Sequence, residues 1–476
     1  MRLHALLAAL LLVPLGGQSH ATDDATTVYD FSQAHDFDGY GAHVWISNQN
    51  TVQREQAIDE LRYRHVRAAG PRPPIPDSEL SGTGHTVAEL LDLFETYHQL
   101  PASAIDGLVQ DISGTTLHQI VWSMPKPWMT LQNGCATCWE ANTAHLADYV
   151  NLIVAEVLYA RQYGMNATYV ELTNEPDGNW NTYWEPEDYA DLVEQTRAAL
   201  DAHGLQSVGI EGPGTGTQRN AVAYLEALVA ERAVGSLDAI SVHDYDTSYT
   251  DDCDERPCLE PPIGLSDEFQ AAWDELGLTL PIHVTEYTNR DRTKWNAAPY
   301  DCSDGAGAGR VNGVCALNTP VYGLWLATEG LKLAADGATA AIQWELQDGP
   351  WGTTNWGLIN VSGGFRPAYR AFKPFLLQLS GDMTAVTGSP SSQQTVTAAF
   401  DVGSDVVVVV SNLTTSAVTL TPSFAGLSQD TSAIERQLVY RVSTGNTAEE
   451  SVTDPATHTI TVPGQSLVAV RFGPST

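Results

Sequence analysis

The feature that most constrains this chain is a regular alternation of strand-like and helix-like segments between Gly39 and about Leu379. Each short apolar run is followed by a longer segment with helical spacing of apolar residues, which is the pattern of βα units around a parallel sheet. Eight strands are predicted, at residues 39–45, 63–68, 117–123, 168–174, 207–211, 238–243, 281–286 and 338–344. Eight helices are predicted after them, at residues 52–61, 87–98, 141–163, 186–203, 219–234, 267–276, 322–335 and 367–379. This count predicts an α/β fold, a (β/α)8 or TIM barrel over residues 37–380.

The composition changes after residue 380, where Val, Thr, Ser and Gly dominate the rest of the chain. Short β runs at 406–410, 417–420, 437–442, 459–462 and 467–472 are separated by turn residues, which predicts an antiparallel β-sandwich domain over residues 381–476. The segment 22–36 precedes the first barrel strand and contains a strand-like run at 26–31. It is a candidate for an additional edge strand of that sandwich.

The first 21 residues have the form of a secretory signal peptide. A basic start is followed by an apolar run from Ala5 to Leu15, and Ser19-His20-Ala21 gives a small-x-small cleavage pattern. The apolar run is too short for a membrane span, and no later run reaches the roughly 18 apolar residues that a span requires. We therefore expect a soluble, secreted protein, extracellular or periplasmic, that does not act in a membrane.

The charge balance restricts the partners of the protein. The chain has 58 Asp and Glu against 23 Lys and Arg, a formal net charge of −35. Nucleic acid and anionic membrane surfaces are poor partners for such a field, whereas a neutral polymer is a suitable one. The acidic residues are dispersed, which favours a solubilising surface suited to salt over a specific cation site. We expect a monomer without a cofactor or a metal ion.

The six cysteines form three local couples, Cys135 with Cys138, Cys253 with Cys258, and Cys302 with Cys315. In an exported chain these couples predict disulfides that fix loops, although six cysteines allow 15 pairings. A redox or zinc role for the Cys-x-x-Cys pair is disfavoured, because no second pair of this kind is present. The acidic segment 251–260 is either a calcium loop or a disulfide-linked solvated loop, and its irregular ligand spacing favours the second.

Two carboxylates stand where a barrel enzyme carries its chemistry. Glu175 follows the fourth predicted strand and precedes a Pro-Asp-Gly turn, and Glu286 ends the seventh predicted strand. Strand ends at the carboxyl face of a barrel are the usual place of catalytic residues. A strand-end glutamate in an acidic protein is also often a solvated surface residue. Glu171 and Glu211 compete for the role, but neither precedes such a turn after an asparagine.

The two motifs resemble those of the clan A glycoside hydrolases. Thr173-Asn174-Glu175-Pro176 is similar to the acid/base motif of that clan, and Val284-Thr285-Glu286-Tyr287 is similar to its nucleophile strand. In the clan the first catalytic Glu ends the fourth strand and the second ends the seventh, as in the count above.

Further details resemble glycoside hydrolase family 30 and its neighbour family 39. They are Gly39-Tyr40-Gly41, the segment from Trp122 to Met129, and a sandwich that both chain ends complete. Met124 and Lys126 depart from the small residues and prolines of family 30. The substrate specificities of that family are therefore not carried over.

The resemblance implies roles for the residues around the pair. Glu175 would be the acid/base, with burial and nearby negative charge keeping a proton on it, and Glu286 the ionised nucleophile. Arg67 and Tyr245 match the clan Arg and Tyr that hold the nucleophile. Asn174 matches the clan Asn that binds the sugar hydroxyl beside the reacting carbon.

His243 matches a clan histidine at the end of the sixth strand. For three of these side chains a structural alternative stays open. Arg67 could instead pair with a helix carboxylate, and His243 could be a satisfied core histidine. For His283, which shares the seventh strand with Glu286 but sits deeper, core packing is the preferred interpretation.

Aromatic residues collect after the predicted strands, and sugar faces stack on aromatic rings. The candidates for sugar binding are Trp45, Trp122, Trp128, Trp180, Trp184 and Trp344. Trp344 ends the eighth strand, where the clan places a platform under the sugar being cleaved. The clustering predicts an extended groove, although any single tryptophan could equally be a core residue.

These observations predict a secreted, retaining endo-β-glycosidase that hydrolyses a β-linked polysaccharide. The alternatives are an exo-acting β-glycosidase and a non-catalytic carbohydrate-binding protein on the same scaffold. An inverting enzyme would separate its carboxylates by about 6.5–9.5 Å rather than about 5–5.5 Å. The sequence leaves the sugar open among xylan, β-1,6-glucan, β-galactans and marine galactans such as agar or porphyran.

Overall fold

A computed structural model of the chain describes residues 25–46, 51–132, 135–245, 264–288, 310–311, 314–315, 320–349, 356–376, 379, 383–389, 394–427, 431, 433–441, 448–451 and 459–473. The chain enters through two strands, β1 (Ala25–Asp30) and β2 (His35–Phe37), that belong to the C-terminal sandwich. Three of the cysteines singled out above, Cys253, Cys258 and Cys302, lie outside these residues, as does the acidic segment 251–260.

Eight parallel strands close into a barrel in the order of the sequence, which confirms the predicted (β/α)8 fold. The barrel strands are β3 (Gly39–Val44), β4 (His65–Ala69), β5 (Thr116–Ile120), β8 (Tyr169–Glu171), β9 (Gly209–Thr215), β10 (Ala239–Asp244), β11 (Ile282–Tyr287) and β14 (Ala340–Gln343). Most of their residues are buried, because helices cover the outer face and side chains fill the interior. This is why the strands are legible in the sequence as apolar runs.

Nine α-helices occur in the described ranges. They are α1 (Thr51–Leu61), α2 (Val87–Thr96), α3 (Ala102–Asp111), α4 (Leu146–Gln162), α5 (Pro186–Ala202), α6 (Gln218–Ala230), α7 (Asp267–Glu275), α8 (Pro320–Asp336) and α9 (Pro367–Leu376). Sequence analysis missed α3, in which Gly107 lowers the helix propensity by about 1 kcal/mol relative to alanine. None of the helices in these ranges is both long enough and apolar enough to cross a membrane.

Two small hairpins extend the loops of the barrel. Strands β6 (Met129–Leu131) and β7 (Trp139–Ala141) pair antiparallel after the third barrel strand, so α4 begins five residues later than predicted. Cys135 and Cys138 form a disulfide at the tip of this hairpin, which confirms the first predicted couple. Strands β12 (Arg310–Val311) and β13 (Val314–Cys315) form the second hairpin.

The C-terminal part consists of two sheets. Its strands are β15 (Met383–Thr387), β16 (Thr395–Val402), β17 (Asp405–Asn412), β18 (Val418–Ala425), β19 (Ala433–Arg441), β20 (Ala448–Ser451), β21 (Ile460–Val462) and β22 (Ser466–Gly473). A seven-stranded sheet has the order β2-β15-β16-β17-β22-β19-β20, and a three-stranded sheet has the order β1-β18-β21. Both N-terminal strands therefore join these sheets, β1 parallel to β18 and β2 antiparallel to β15.

The valine run of β17 shows how the sandwich attaches to the barrel. Side chains of a strand alternate between the two faces of its sheet. Val407 and Val409 belong to the hydrophobic core of the barrel helices, whereas Val406, Val408 and Val410 belong to the core between the two sheets. The seven-stranded sheet is thus the middle layer between α8 and the three-stranded sheet.

Candidate active site

The two carboxylates singled out in the sequence both lie at the mouth of the barrel. Glu286 is the fifth residue of β11, and Glu175 follows the end of β8 by four residues. The backbone of Glu175 is left-handed, with φ of 46°, which is unusual for a residue other than glycine. Its N–H donates to the carbonyl of Gly214 at 3.1 Å, and its carbonyl accepts from Gly178 N–H at 2.8 Å. The turn thus holds Glu175 in a conformation of the kind that occurs at functional sites.

Glu175 and Glu286 face each other across His243, the fifth residue of β10. Nδ1 of His243 lies 3.1 Å from Oε1 of Glu175 and 3.5 Å from Oε2 of Glu286. One carboxylate oxygen of each glutamate and one nitrogen of the histidine all lie within 4.8 Å of one another. This approach is close to the separation of about 5–5.5 Å found in retaining glycosidases and well below the 6.5–9.5 Å of inverting ones.

Glu286 is fixed by two donors on neighbouring strands. Nη1 of Arg67, from β4, donates to its Oε1 at 2.5 Å, and the hydroxyl of Tyr245, just after β10, donates to its Oε2 at 2.5 Å. Both oxygens of the carboxylate therefore accept a short hydrogen bond, one of them from a permanent cation. Such charge-assisted bonds favour the ionised carboxylate and hold its orientation.

Arg67 is fully buried and pairs with strand residues, so the alternative of a helix carboxylate partner is wrong. Its Nη2 donates to Oε1 of Glu171 at 2.7 Å and to Oδ1 of Asn174 at 2.8 Å. Burial alone would lower the pKa of Arg67, but the charges of Glu171 and Glu286 raise it above its usual value. A single guanidinium thus joins three of the predicted site positions in one network.

His243 carries a positive charge in this setting. Burial by itself lowers the pKa of His243, but the charge of Glu286 and the contacts with Glu171 and Glu175 outweigh it and raise that pKa to about 10. Burial likewise raises the pKa of Glu171, and the charges of Arg67 and His243 reverse this and lower it. Two cations therefore face three carboxylates in this network.

The side of Glu175 that faces the loop after β8 is contacted by Trp180, whose Nε1 donates to Oε2 at 2.8 Å. Trp180 is 54% exposed, and the other five predicted tryptophans are buried or partly buried. Asp177, two residues after Glu175, accepts from Gly216 N–H at 2.8 Å and from Asn220 Nδ2 at 2.7 Å. These bonds tie the loop after β8 to the loop after β9.

Three of the predicted tryptophans form one cluster beside the carboxylates. The ring centroids of Trp45, Trp122 and Trp344 lie 5.6–5.9 Å apart. The ring of His43 lies 4.5 Å from that of Trp45 and 4.4 Å from that of Trp344. Burial, with the charges of Arg67 and His243, lowers the pKa of His43 well below its usual value, so this imidazole is neutral. We name Trp45, Trp122, Trp344 and His43 the aromatic cup.

Two tryptophans predicted to bind sugar do not lie in the groove, and for them the prediction is wrong. Trp128 is fully buried and donates from Nε1 to the carbonyl of Leu80 at 2.7 Å. Trp184 is also fully buried and stacks on Tyr149 of α4 at 5.7 Å between ring centroids. Both rings hold loops against the outer helices, so neither has a face open to a ligand.

A second polar layer lies deeper in the barrel. Glu211 of β9 accepts from His118 Nδ1 at 2.9 Å and from His283 Nδ1 at 2.8 Å, and His65 Nδ1 lies 2.9 Å from His118 Nε2. The position of His283 agrees with its preferred interpretation as a core residue. These separations are hydrogen-bond lengths, whereas ligands of a tetrahedral zinc ion with bonds of about 2.0–2.2 Å would stand more than about 3.2 Å apart.

Sequence analysis missed two side chains of the site. His43 carried a usable signal, because strand alternation places it on the same face as Trp45. Glu345, directly after Trp344, is fully buried and accepts hydrogen bonds from Trp45 Nε1 and from Gly349 N–H. Burial raises the pKa of Glu345 well above its usual value, and the charges of Asp348 and Glu286 add to this. No sequence pattern distinguished Glu345 from a surface glutamate.

The comparisons with known proteins agree with this architecture. No protein-family model matches the sequence, and no curated protein matches it either. Among solved structures, a GH30 (glycoside hydrolase family 30) endoxylanase from Clostridium papyrosolvens C71 superposes with a TM-score of 0.67 at 14% identity, over 94% of this chain and 100% of that one.

Two further structures belong to the same comparison. An endo-β1,6-glucanase gives a TM-score of 0.63 at 14% identity, over 94% of each chain. A GH39 (family 39) enzyme from Xanthomonas axonopodis pv. citri gives 0.57 at 18% identity, over 98% of this chain and 100% of that one. At these identities the comparison establishes the shared fold, a barrel with an attached sandwich, and leaves activity to be argued from the site.

Proposed function

We propose that the chain is a secreted retaining β-glycosidase of the clan A type that cleaves a β-linked polysaccharide within its chain. The observation that carries the proposal is the pair of carboxylates at the ends of the fourth and seventh barrel strands, with oxygens of Glu175 and Glu286 within 4.8 Å of each other. Retention requires two carboxylates at about this separation, one to attack the anomeric carbon and one to protonate the leaving oxygen.

Glu286 is the nucleophile in this proposal. Its two oxygens accept hydrogen bonds from Arg67 and Tyr245, which keep the carboxylate ionised and hold its orientation for attack on the sugar. Attack on the anomeric carbon forms a glycosyl-enzyme ester while the bond to the leaving oxygen breaks. Water then attacks the same carbon from the side of the leaving group, and the carboxylate of Glu286 departs.

Glu175 is the acid and then the base. Arg67 and His243 supply two positive charges, which balance the negative charges of Glu171 and Glu286, so the third carboxylate of the network is the one that holds a proton. Glu175 gives this proton to the leaving oxygen in the first step. In the second step it takes a proton from the attacking water.

The aromatic cup and Trp180 supply the sugar contacts. We assign the aromatic cup to the sugar that becomes bound to the enzyme, because Nδ1 of its His43 lies 3.5 Å from Nη1 of Arg67, the donor to Glu286. Trp180, half exposed beside Glu175, lies on the side of the leaving group. Aromatic surface on both sides of the scissile bond, the many loops, and endo-acting proteins among the structures of similar fold support internal cleavage.

The test combines a substrate panel with two variants. The purified protein is incubated with xylan, β-1,6-glucan, β-galactans, agar and porphyran, and reducing ends and product sizes are followed over time. On the substrate that is cleaved, Glu175→Ala is expected to lose about 10²–10⁴ of the rate. Glu286→Ala is expected to have no measurable rate, and Glu194→Ala, a change on the exposed face of α5, is the matched control.

Each alternative has its own outcome in this test. Early release of large oligosaccharides supports endo action, whereas release of one small sugar from the first minutes means exo action. Products with inverted anomeric configuration by NMR contradict the double displacement. A wild-type protein that binds one of these glycans and cleaves none is a carbohydrate-binding protein, and the catalytic proposal is then wrong.

A further inference from the structure

Glu171 is the carboxylate of the network that has no part in the steps above. It is the last residue of β8 and is fully buried. Its Oε1 accepts from Arg67 Nη2 at 2.7 Å and lies 3.9 Å from Nε2 of His243. Its two oppositely charged partners are therefore the two cations of the network, Arg67 and His243.

The two partners of Glu171 are the same groups that contact the proposed catalytic pair. Arg67 donates to Glu286 at 2.5 Å and to Asn174 at 2.8 Å. His243 lies 3.1 Å from Glu175 and 3.5 Å from Glu286 through its other nitrogen, Nδ1. Arg67 and His243 thus each contact Glu171 through one nitrogen and the proposed catalytic carboxylates through another.

The backbone of β9 prevents Glu171 from moving aside. Gly214 has a φ of 63°, and a Cβ atom built on it would lie 2.8 Å from Cδ of Glu171. The carbonyl of the same glycine accepts from the N–H of Glu175. The strand therefore presses against the Glu171 carboxyl group and holds the backbone of Glu175 at once.

The charges around these groups come from several elements. The titratable groups that face Glu171 are Arg67 on β4, Glu211 on β9, His243 on β10 and Tyr189 on α5. Those that face Glu175 are His243, Glu286 on β11 and Asp177 in its own loop. Without the charge of Glu171, the two cations would face one fewer anion, and a proton on Glu175 would become easier to remove.

We propose that Glu171 is a positioning residue that anchors Arg67 and His243 against the Glu175–Glu286 pair, and that its charge sets the pH at which the acid loses its proton. The inference rests on the proposed glycosidase function. It adds a requirement to that function, namely a buried charge that never touches the substrate.

The test is Glu171→Gln, which keeps the shape of the side chain and removes its charge. On the substrate identified with the wild type, kcat is expected to fall about 100-fold with KM changed less than about threefold, because a displaced catalytic group lowers the chemical step. The basic limb of the pH profile of kcat/KM is expected to move about one pH unit lower. Glu171→Asp restores the charge, so its limb should return to the wild-type position while kcat stays reduced.

The outcomes separate this inference from the proposed function. The inference alone is overturned by the following result. The wild type is active and depends on Glu175 and Glu286, but the basic limb of the pH profile of Glu171→Gln is unmoved. A wild type without activity on every glycan overturns the function. If Glu171→Gln does not fold, Glu171→Asp is the variant that tests the inference. A reduced kcat supports a positioning role, whereas a wild-type kcat with a lower melting temperature means that Glu171 is purely structural.

Discussion

The deeper polar layer of the barrel offers a stability prediction that does not depend on the substrate. Glu211 is fully buried and accepts hydrogen bonds from His118 and His283 at 2.8–2.9 Å. Burial by itself raises the pKa of Glu211, but the charge and hydrogen bond of His118, with those of His283, lower it far below the usual range. The native protein thus holds an anion here that the unfolded chain would protonate at moderately acidic pH.

Glu211→Gln removes this anion and replaces one acceptor oxygen by an amide N–H₂ group. The amide nitrogen then replaces one of the two oxygens that contact His118 Nδ1, and removing the charged partner of such a buried pair costs about 3–5 kcal/mol. For a chain of 476 residues that unfolds as one unit, the unfolding entropy is about 1 kcal/mol/K, so the melting temperature should fall by about 3–5 °C at pH 7. Calorimetry of wild type and variant measures this difference.

The pH dependence of this difference in melting temperature is a more specific test than its size at pH 7. A carboxyl group whose pKa is lower in the folded state stabilises the protein above its unfolded pKa and loses that contribution as the pH falls toward the folded value. The difference in melting temperature between wild type and Glu211→Gln should therefore be full at pH 7 and smaller at pH 3. The matched control is Glu194→Gln, an exposed residue of α5. A difference that is absent at pH 7, or equal at both pH values, would refute the reasoning.

Two further changes test the site and its surroundings. Gly216→Ala places a Cβ atom 3.1 Å from Cδ of Glu175, so the acid must shift by a few tenths of an ångström; we expect kcat to fall at least tenfold with the melting temperature changed by less than about 2 °C. Trp128→Phe removes the hydrogen bond to Leu80 and part of a buried ring, so stability should fall by about 1–3 kcal/mol in denaturant titrations while KM is unchanged. A raised KM in this variant would indicate that Trp128 contacts the substrate after all.

The barrel could be predicted because its strands are short buried runs that alternate regularly with amphipathic helices along the chain. All eight predicted strands overlap an observed one, and the closed order follows the sequence. The fourth strand ends at Glu171 rather than Asn174, because the chain leaves the sheet to make the left-handed turn at Glu175. Boundaries of this kind depend on contacts between loops, which no local pattern encodes.

Sandwich strands that pack against the barrel helices were harder to predict from the sequence. Strands β15 and β16 were missed, and both pack against α8 through small residues such as Ala385 and Ala398. Alanine permits a close approach of helix and sheet but has a low strand propensity. The buried positions of Trp128 and Trp184 escaped prediction for a related reason, since only the packing of the loops on α4 and on Leu80 decides which rings are covered.

The position of each carboxylate relative to solvent explains why the proton belongs on Glu175 in the proposed mechanism. Glu171 is fully buried and Glu286 is 3% exposed, whereas Glu175 is 8% exposed and contacts the open ring of Trp180. A nucleophile must keep its charge through the cycle, and the short bonds from Arg67 and Tyr245 serve that purpose. The acid must instead release a proton and regain one from water in every turnover. Glu175 contacts His243 at 3.1 Å and the exposed ring of Trp180, which leaves it nearer to solvent than the other two carboxylates and able to exchange a proton with water.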